Sequence, residues 1–326
     1  MSRVKVLVTR KLPESALKML DAFDVTVWPE EETAMPRDLL LKEVADKDAV
    51  LTMLSEKVDR EFLDSAGRLK LVANMAVGYD NIDVPLCTSR GIVVTNTPGV
   101  LTDATADLAF SLLMATARRI PEAEEIVRSQ RWKGWSPMFL TGQEVWGTTL
   151  GIVGMGRIGE AVARRARGFN MEILYYSRSR KEKVEQELGA RFCSLDDLLR
   201  NSDYVSIHVP LTSETRGLIG ERELKLMKPT AVLVNTSRGP VVDEKALVQA
   251  LRERWIWGAG LDVFEVEPLP ASSPLRELPN VVLLPHIGSA TIRTRLRMAE
   301  TAAGNIKEYL LGRKPLTPVN PQVLKG

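Results

Sequence analysis

The chain has 326 residues, and its 44 Lys and Arg against 42 Asp and Glu leave a formal net charge of +2. With 44% hydrophobic and 26% charged residues it is not a disordered chain, and its balanced charge gives no general attraction to nucleic acid or to anionic membranes. At about 150 residues per domain the length predicts two domains, and no apolar run approaches the ~18–20 residues of a membrane span. In chain order, short apolar runs predict strands at Val4–Thr9, Asp24–Val27, Ala49–Leu51, Leu71–Asn74 and Ile92–Thr95. Amphipathic helices are predicted between them, for example Glu14–Ala22 and Arg37–Ala45, which is the alternation of a parallel α/β unit. The segment Met1–Thr9 lacks the layout of a secretory leader. The 2 cysteines, Cys87 and Cys193, form neither a metal-ligand spacing nor a disulfide framework, so the expectation is a reducing cytoplasm.

A long helical stretch is predicted from about Leu101 to Ser129, long enough to carry the chain from one domain to the next. An aromatic, glycine-containing loop with Trp132, Trp135, Phe139 and Trp146 follows. A second α/β unit begins at Thr148, with strands at Thr149–Val153, Glu172–Tyr176, Tyr204–His208, Ala231–Asn235, Ala259–Asp262 and Val281–Leu284. Its helices are predicted at Arg157–Arg167, Leu195–Asn201 and Asp243–Arg254. A last helix, Thr291–Leu311, can pack back on the first unit and make that unit discontinuous in sequence.

The sharpest motif is Gly154-Met155-Gly156-Arg157-Ile158-Gly159. Alone the pattern is weak, but here it follows a predicted strand, opens a predicted helix and is followed by another strand, as a dinucleotide site requires. Gly154 allows the tight turn, Gly156 lets the main chain approach a pyrophosphate, and Gly159 allows close helix–strand packing. The next strand tells which dinucleotide. An NAD site expects an acidic residue about 20 residues past the first glycine. The sequence there is Ser177-Arg178-Ser179-Arg180-Lys181: two hydroxyls and three cations, which suit a 2′-phosphate. NADP(H) is the preferred cofactor on this reading. NAD(H) stays possible, because an arginine can also stack on adenine.

Three segments end successive strands: Val234-Asn235-Thr236-Ser237-Arg238-Gly239, Gly260-Leu261-Asp262-Val263-Phe264-Glu265-Val266-Glu267-Pro268 and Leu284-Pro285-His286-Ile287-Gly288-Ser289-Ala290-Thr291. Ligands of open parallel sheets bind outside the carboxyl ends of the strands, so Arg238, Glu267 and His286 are expected to converge on one crevice.

These segments and the mid-chain glycine fingerprint resemble the D-2-hydroxyacid dehydrogenase family, closest to its glyoxylate/hydroxypyruvate reductase branch. The resemblance spans essentially the whole chain, including Val77-Gly78-Tyr79-Asp80-Asn81-Ile82-Asp83, Asn96-Thr97-Pro98 and the His208-Val209-Pro210-Leu211-Thr212 turn. It implies two doubly wound, Rossmann-like parallel-sheet domains: a substrate-binding one from residues 1–99 and 288–326, and a dinucleotide-binding one from 100–287. It also implies a homodimer formed mainly through the cofactor domains. His286 would be the general acid, delivering a proton to the carbonyl oxygen of a small 2-oxoacid as hydride arrives, since imidazole ordinarily titrates near neutrality. Glu267 would pair with it and orient the ring. Arg238 would bind the substrate carboxylate as a planar cation with fixed donors. The resemblance places Thr105, Gly154, Gly156, Arg157, Ile158, Gly159, Ser177, Arg178, Ser179, Val209, Pro210, Thr215, Thr236, Ser237, Asp262 and Gly288 at the cofactor, Asp262 on its carboxamide. Val77 and Gly78 would offer main-chain amides to the carboxylate, Leu54 would wall the pocket, and Trp135, ahead of Trp132, would reach the partner's pocket.

Competing readings exist. His208 is the rival imidazole, but its turn resembles one that lines the cofactor. Glu265 is the nearby rival of Glu267, and only Glu267 directly precedes Pro268. A phosphoglycerate dehydrogenase would ordinarily show the ribose-binding carboxylate absent from Ser177–Ser179, and many carry a regulatory extension for which a chain ending at Gly326 is not expected to leave room. A dinucleotide-sensing co-repressor of the same fold would need no efficient turnover. The intact Arg238, Glu267 and His286 set favours the enzyme.

Overall fold

The structure, a computed structural model, describes residues 4–325, so the part of the Met1–Thr9 segment before Val4 lies outside the described residues. The chain forms two compact units, one of Met1–Leu101 with Ser289–Gly326 and one of Thr102–Gly288.

The first unit alternates β1 (Lys5–Val8), α1 (Glu14–Lys18), β2 (Asp24–Val27), α2 (Arg37–Val44), β3 (Ala49–Thr52), α3 (Arg60–Ser65), β4 (Leu71–Asn74), α4 (Val84–Ser89) and β5 (Val93–Thr95). Its five strands are all parallel, in the order β2-β1-β3-β4-β5. Every residue of β3 and β4 is buried. Strands covered on both faces read as continuous apolar runs, which is why this sheet shows in the sequence. Leu7, Val50, Val72 and Val94 pack with Leu40, Phe62 and Ile82 in one core. The C-terminal segment is tied beside β5, where Val319 N–H donates to Val94 C=O at 2.7 Å and buried Asn320 accepts from Val94 N–H at 2.8 Å.

The second unit opens with α5 (Thr102–Ala117) and α6 (Ile120–Arg128). The helical stretch expected from about Leu101 to Ser129 is thus two helices with a break between them. Pro121 stands in the first turn of α6 and Arg119 before it is left-handed, at φ 52°. A proline inside a continuous helix would remove a main-chain donor and clash with the preceding turn, so the helix stops and restarts. Then follow β6 (Thr149–Val153), α7 (Arg157–Arg167), β7 (Glu172–Tyr176), α8 (Glu182–Leu188), β8 (Arg191–Phe192), α9 (Leu195–Asn201), β9 (Tyr204–Ile207), α10 (Glu221–Leu226), β10 (Val232–Asn235), α11 (Glu244–Arg252), β11 (Gly258–Leu261) and β12 (Val281–Leu283). The sheet is parallel with order β12-β11-β10-β9-β6-β7-β8, so the winding reverses between β6 and β9. Such a switch point opens a crevice at the carboxyl ends of the strands. The final helix α12 (Ile292–Leu310) belongs to the first unit and is capped by the Thr291 side chain on Thr294 N–H. Asp243 caps α11 in the same way, so the predicted helices at Asp243 and Thr291 begin one residue later, their first residues being caps. Among the described residues no helix is long and apolar enough to cross a membrane.

Candidate active site

The site of the second unit is built from the ends of β10, β11 and β12. After β10, buried Asn235 folds the turn: its Nδ2 donates to Arg238 C=O at 2.9 Å, and its Oδ1 accepts from the Ser237 N–H and Oγ, each at 3.0 Å. Arg238 Nη1 donates to Ser237 C=O at 2.8 Å. Gly239 lies flat against the next loop, where a Cβ would come within 1.9 Å of the Phe264 carbonyl carbon.

In that loop Glu267 Oε1 accepts from Phe264 N–H at 3.1 Å, while its Oε2 stands 2.7 Å from His286 Nδ1. Both side chains keep access to solvent, 31% for His286 and 35% for Glu267. Burial works to raise the Glu267 carboxyl. The hydrogen bond and charge of His286, the Phe264 N–H and the Arg238 charge outweigh it, and the group is held below the usual carboxylate range. Thus the charges of Arg238 and His286 both act on Glu267.

His286 is itself left-handed, at φ 54°. Such a conformation is uncommon outside glycine and has to be held by its surroundings. Buried Asp262 holds it. The Asp262 C=O accepts from His286 N–H at 2.9 Å, and its carboxylate oxygens accept from Ile287 N–H and Gly288 N–H, each at 2.7 Å. Burial pushes the Asp262 carboxyl up, against the opposing effect of these donors and the His286 charge. Both carboxylate oxygens therefore serve the main chain of the His286 loop.

The glycine turn fits a dinucleotide phosphate. Gly154 has φ 102°, and a Cβ there would lie 2.8 Å from the His208 carbonyl carbon and from Val209 Cγ1. A Cβ on Gly159 would lie 2.3 Å from Gly154 O, so helix and strand touch through it. At Gly156, the residue before α7, a Cβ would meet nothing within 4 Å, which leaves the approach to the helix N-terminus open. Arg157 and Ile158 are the first two residues of that helix. Thr236 Oγ1 is buried without a hydrogen-bond partner among the described residues, as a hydroxyl awaiting a ligand would be. Thr105 and Asp262 both flank Gly288. Thr215 Oγ1 donates to Pro210 C=O at 2.6 Å and shapes the Val209–Pro210 turn.

At the end of β7 Ser177 is half-buried, and Arg178 and Ser179 are exposed. Of the three cations predicted to await a 2′-phosphate, Arg180 is committed elsewhere. Its guanidinium pairs with Glu185 at 2.7 Å, and Glu185 in turn accepts from Tyr175 Oη at 2.6 Å. Arg178 makes no hydrogen bond or ion pair within the described residues, and its charge acts on Glu214. His208 bonds Ser206 Oγ through Nε2 at 2.8 Å and burial pushes it down to about 3, so it is a neutral structural ring. Glu265 accepts from Glu244 N–H at 3.2 Å and is not brought to His286. Trp135 is 83% exposed.

In the first unit Leu54 and the Val77–Gly78 turn are half-buried. The N–H groups of Val77 and Gly78 find no acceptor among the described residues. Sequence reasoning missed Asn235 and Glu185. Asn235 had a local signal, an amide at the strand end three residues before the arginine. Glu185 had none.

Comparison with known proteins agrees with this geometry. Residues 110–288 match the sequence pattern of the D-isomer specific 2-hydroxyacid dehydrogenase family, NAD binding domain. The chain is 58% identical to a glyoxylate reductase of Thermococcus kodakarensis, covering 99% of this chain and 98% of that protein. It is 56% identical to a glyoxylate reductase of Pyrococcus horikoshii, covering 98% and 97%. Among solved structures it is similar to the TT0316 protein of Thermus thermophilus (TM-score 0.90, 46% identity, 97% of this chain and 100% of that one). It is also similar to an NADPH-dependent glyoxylate/hydroxypyruvate reductase of Sinorhizobium meliloti in complex with NADP and malonate (TM-score 0.85, 37% identity, 98% and 97%). With a His–Glu pair at the strand ends, a glycine turn that fits a dinucleotide and relatives matching over nearly their full length, the chain belongs to the D-isomer specific 2-hydroxyacid dehydrogenase family.

Proposed function

We propose that this chain reduces small 2-oxoacids, glyoxylate to glycolate and hydroxypyruvate to D-glycerate, with NADPH preferred to NADH. The observation that carries the reading is the 2.7 Å contact between His286 Nδ1 and Glu267 Oε2, with the Arg238 charge acting on the same carboxylate. When bound, the reduced nicotinamide supplies hydride to the carbonyl carbon. Glu267 engages Nδ1, which fixes the ring and leaves Nε2 to deliver a proton to the carbonyl oxygen. Arg238 holds the substrate carboxylate, and its planar fork orients the adjacent carbonyl. In the first unit, Val77 and Gly78 are the main-chain donors and Leu54 the wall residue that this reading assigns to substrate. The glycine turn, Thr105, Val209, Pro210, Thr215, Thr236, Ser237 and Gly288 would hold the dinucleotide, with Asp262 fixing the His286 loop. Ser177, Arg178 and Ser179 would hold its ribose. Arg178 supports NADPH, because an exposed guanidinium without an acidic neighbour on its own loop suits a 2′-phosphate.

The protein works as a cytoplasmic homodimer on this reading. Both cysteines are free thiols. None of the nine residues of α6 is buried, and Ile120 and Val127 stand exposed on it near exposed Trp132, Trp135, Met138 and Phe139 in sequence. This concentration of exposed apolar side chains in one stretch of chain supports a partner interface there.

The test is steady-state reduction of glyoxylate, hydroxypyruvate, pyruvate and 3-phosphohydroxypyruvate by purified protein with NADPH and with NADH. The expected result is the highest kcat/KM for glyoxylate or hydroxypyruvate with NADPH. Preference for the phosphorylated substrate, or no turnover of any oxoacid, would overturn the reading.

A further inference from the structure

In the first unit, three consecutive main-chain carbonyls of the Ala76–Gly78 turn are each held by a donor. Thr97 N–H donates to Ala76 C=O at 2.8 Å, Asn96 Nδ2 to Val77 C=O at 2.8 Å and Asn74 Nδ2 to Gly78 C=O at 2.9 Å. A trans peptide is planar, with its N–H opposed to its C=O. Holding Ala76 C=O therefore aims Val77 N–H the other way, and holding Val77 C=O does the same for Gly78 N–H. Those are the two donors that find no acceptor among the described residues. Successive main-chain N–H groups without an internal acceptor are the donors a turn can offer to an anion.

A second side chain ties this turn to the loop that carries Leu54. Asn81 Nδ2 donates to Met53 C=O at 3.1 Å and to Glu56 C=O at 2.9 Å, and its own C=O accepts from Val58 N–H at 2.9 Å. The Leu54 loop is fixed from below by Glu56. This buried carboxylate accepts from Met53 N–H at 2.6 Å and Thr9 Oγ1 at 2.8 Å, and pairs with buried Arg10 at 3.1 Å.

We propose that Asn96 and Asn81 are positioning residues for the oxoacid. Asn96 orients the Gly78 N–H that receives the substrate carboxylate, and Asn81 keeps the Leu54 loop in register with that donor. The inference rests on the proposed oxoacid site. It adds that two neutral amides, which touch no reacting atom, set substrate affinity.

The experiment measures KM and kcat for glyoxylate, the inhibition constant of oxalate as a carboxylate probe, the dissociation constant of NADPH and the melting temperature. It does so in the wild type, Asn96→Ala and Asn81→Ala. Misplacing a donor by a fraction of an ångström to 1 Å is expected to lower kcat/KM for glyoxylate about 10- to 100-fold. The loss should fall mainly on KM and be matched by weaker oxalate inhibition, with NADPH affinity unchanged. Asn96→Ala removes one side-chain contact to one carbonyl and carries the test if Asn81→Ala does not fold. Wild-type KM and oxalate inhibition in folded variants would overturn the proposal, as would equal losses for oxalate and NADPH. A wild-type protein that reduces no oxoacid would instead fail the functional reading itself, and this proposal with it.

Discussion

Gly239 and Phe264 are in main-chain contact: the space a Cβ would need on Gly239 is occupied by the Phe264 carbonyl, with its carbon 1.9 Å and its oxygen 2.0 Å away. This contact locks the Arg238 turn to the loop that leads to Glu267. Gly239→Ala cannot be absorbed by a flexible side chain, so it should destabilise the second unit by about 1–3 kcal/mol or more and cost at least ~100-fold in kcat/KM. Gly156→Ala is the contrast. Its Cβ meets no protein atom within 4 Å, so stability should stay at the wild-type value while dinucleotide affinity falls about tenfold or more. Denaturant titration and cofactor binding separate the two. Equal behaviour of the two variants would contradict the assigned roles.

His286→Ala should lower kcat by about 10²–10⁴-fold with cofactor binding largely intact, because it removes the proton donor and leaves the glycine turn untouched. Glu267→Gln should lower kcat less, since the amide still contacts Nδ1 but carries no charge. His208→Ala should cost far less turnover than His286→Ala. The reverse order in single-turnover rates would assign the acid to the wrong imidazole.

Arg178→Ala should weaken NADPH by about 10- to 100-fold and NADH much less, since a charge-assisted pair with a phosphate is worth roughly 1.5–3 kcal/mol. Arg180→Ala should leave the NADPH/NADH ratio near wild type, because Arg180 is engaged by Glu185. Fluorescence titration of both cofactors at fixed ionic strength reads the ratio. Equal losses of both cofactors in Arg178→Ala would mean that the side chain stacks on adenine.

His208 gives acid stability a defined pH window. Its folded value is lowered from 6.5 to about 3 by burial, so the unfolded chain takes up a proton there that the folded chain refuses. Stability from this residue is complete above about pH 6.5 and declines as pH falls from there toward 3. His208→Gln should flatten that part of the profile of urea midpoint against pH. Glu267, held low in the folded protein, adds stability that is lost only as pH falls through its depressed value. An unchanged slope in His208→Gln would show that other groups govern the acid limb.

The sheets are legible in the sequence because parallel strands buried on both faces read as apolar runs, as in Ala49–Thr52 and Val232–Asn235. Helix ends are less legible: α1 stops at Lys18 rather than Ala22, since so short a segment carries too little of a 3.6-residue period to fix its bounds. Arg238, Glu267 and His286 stand out because charged and titratable side chains end apolar strands. Asn81 and Asn96 carry no sign of a positioning role, because an amide acts through whichever main-chain group the fold brings to it. Arg178 and Arg180 are indistinguishable as letters. Only the fold brings Glu185 and Tyr175 to one of them.

The pairing of Arg180 with Glu185 leaves the outer edge of the Ser177–Lys181 loop with Arg178 as its unengaged guanidinium, exposed and outside the hydrophobic core. Replacing such a side chain threatens neither core packing nor the glycine turn. With Arg178 as the phosphate contact, coenzyme preference rests on a side chain outside the core, so it can be altered without disturbing the Glu267–His286 pair.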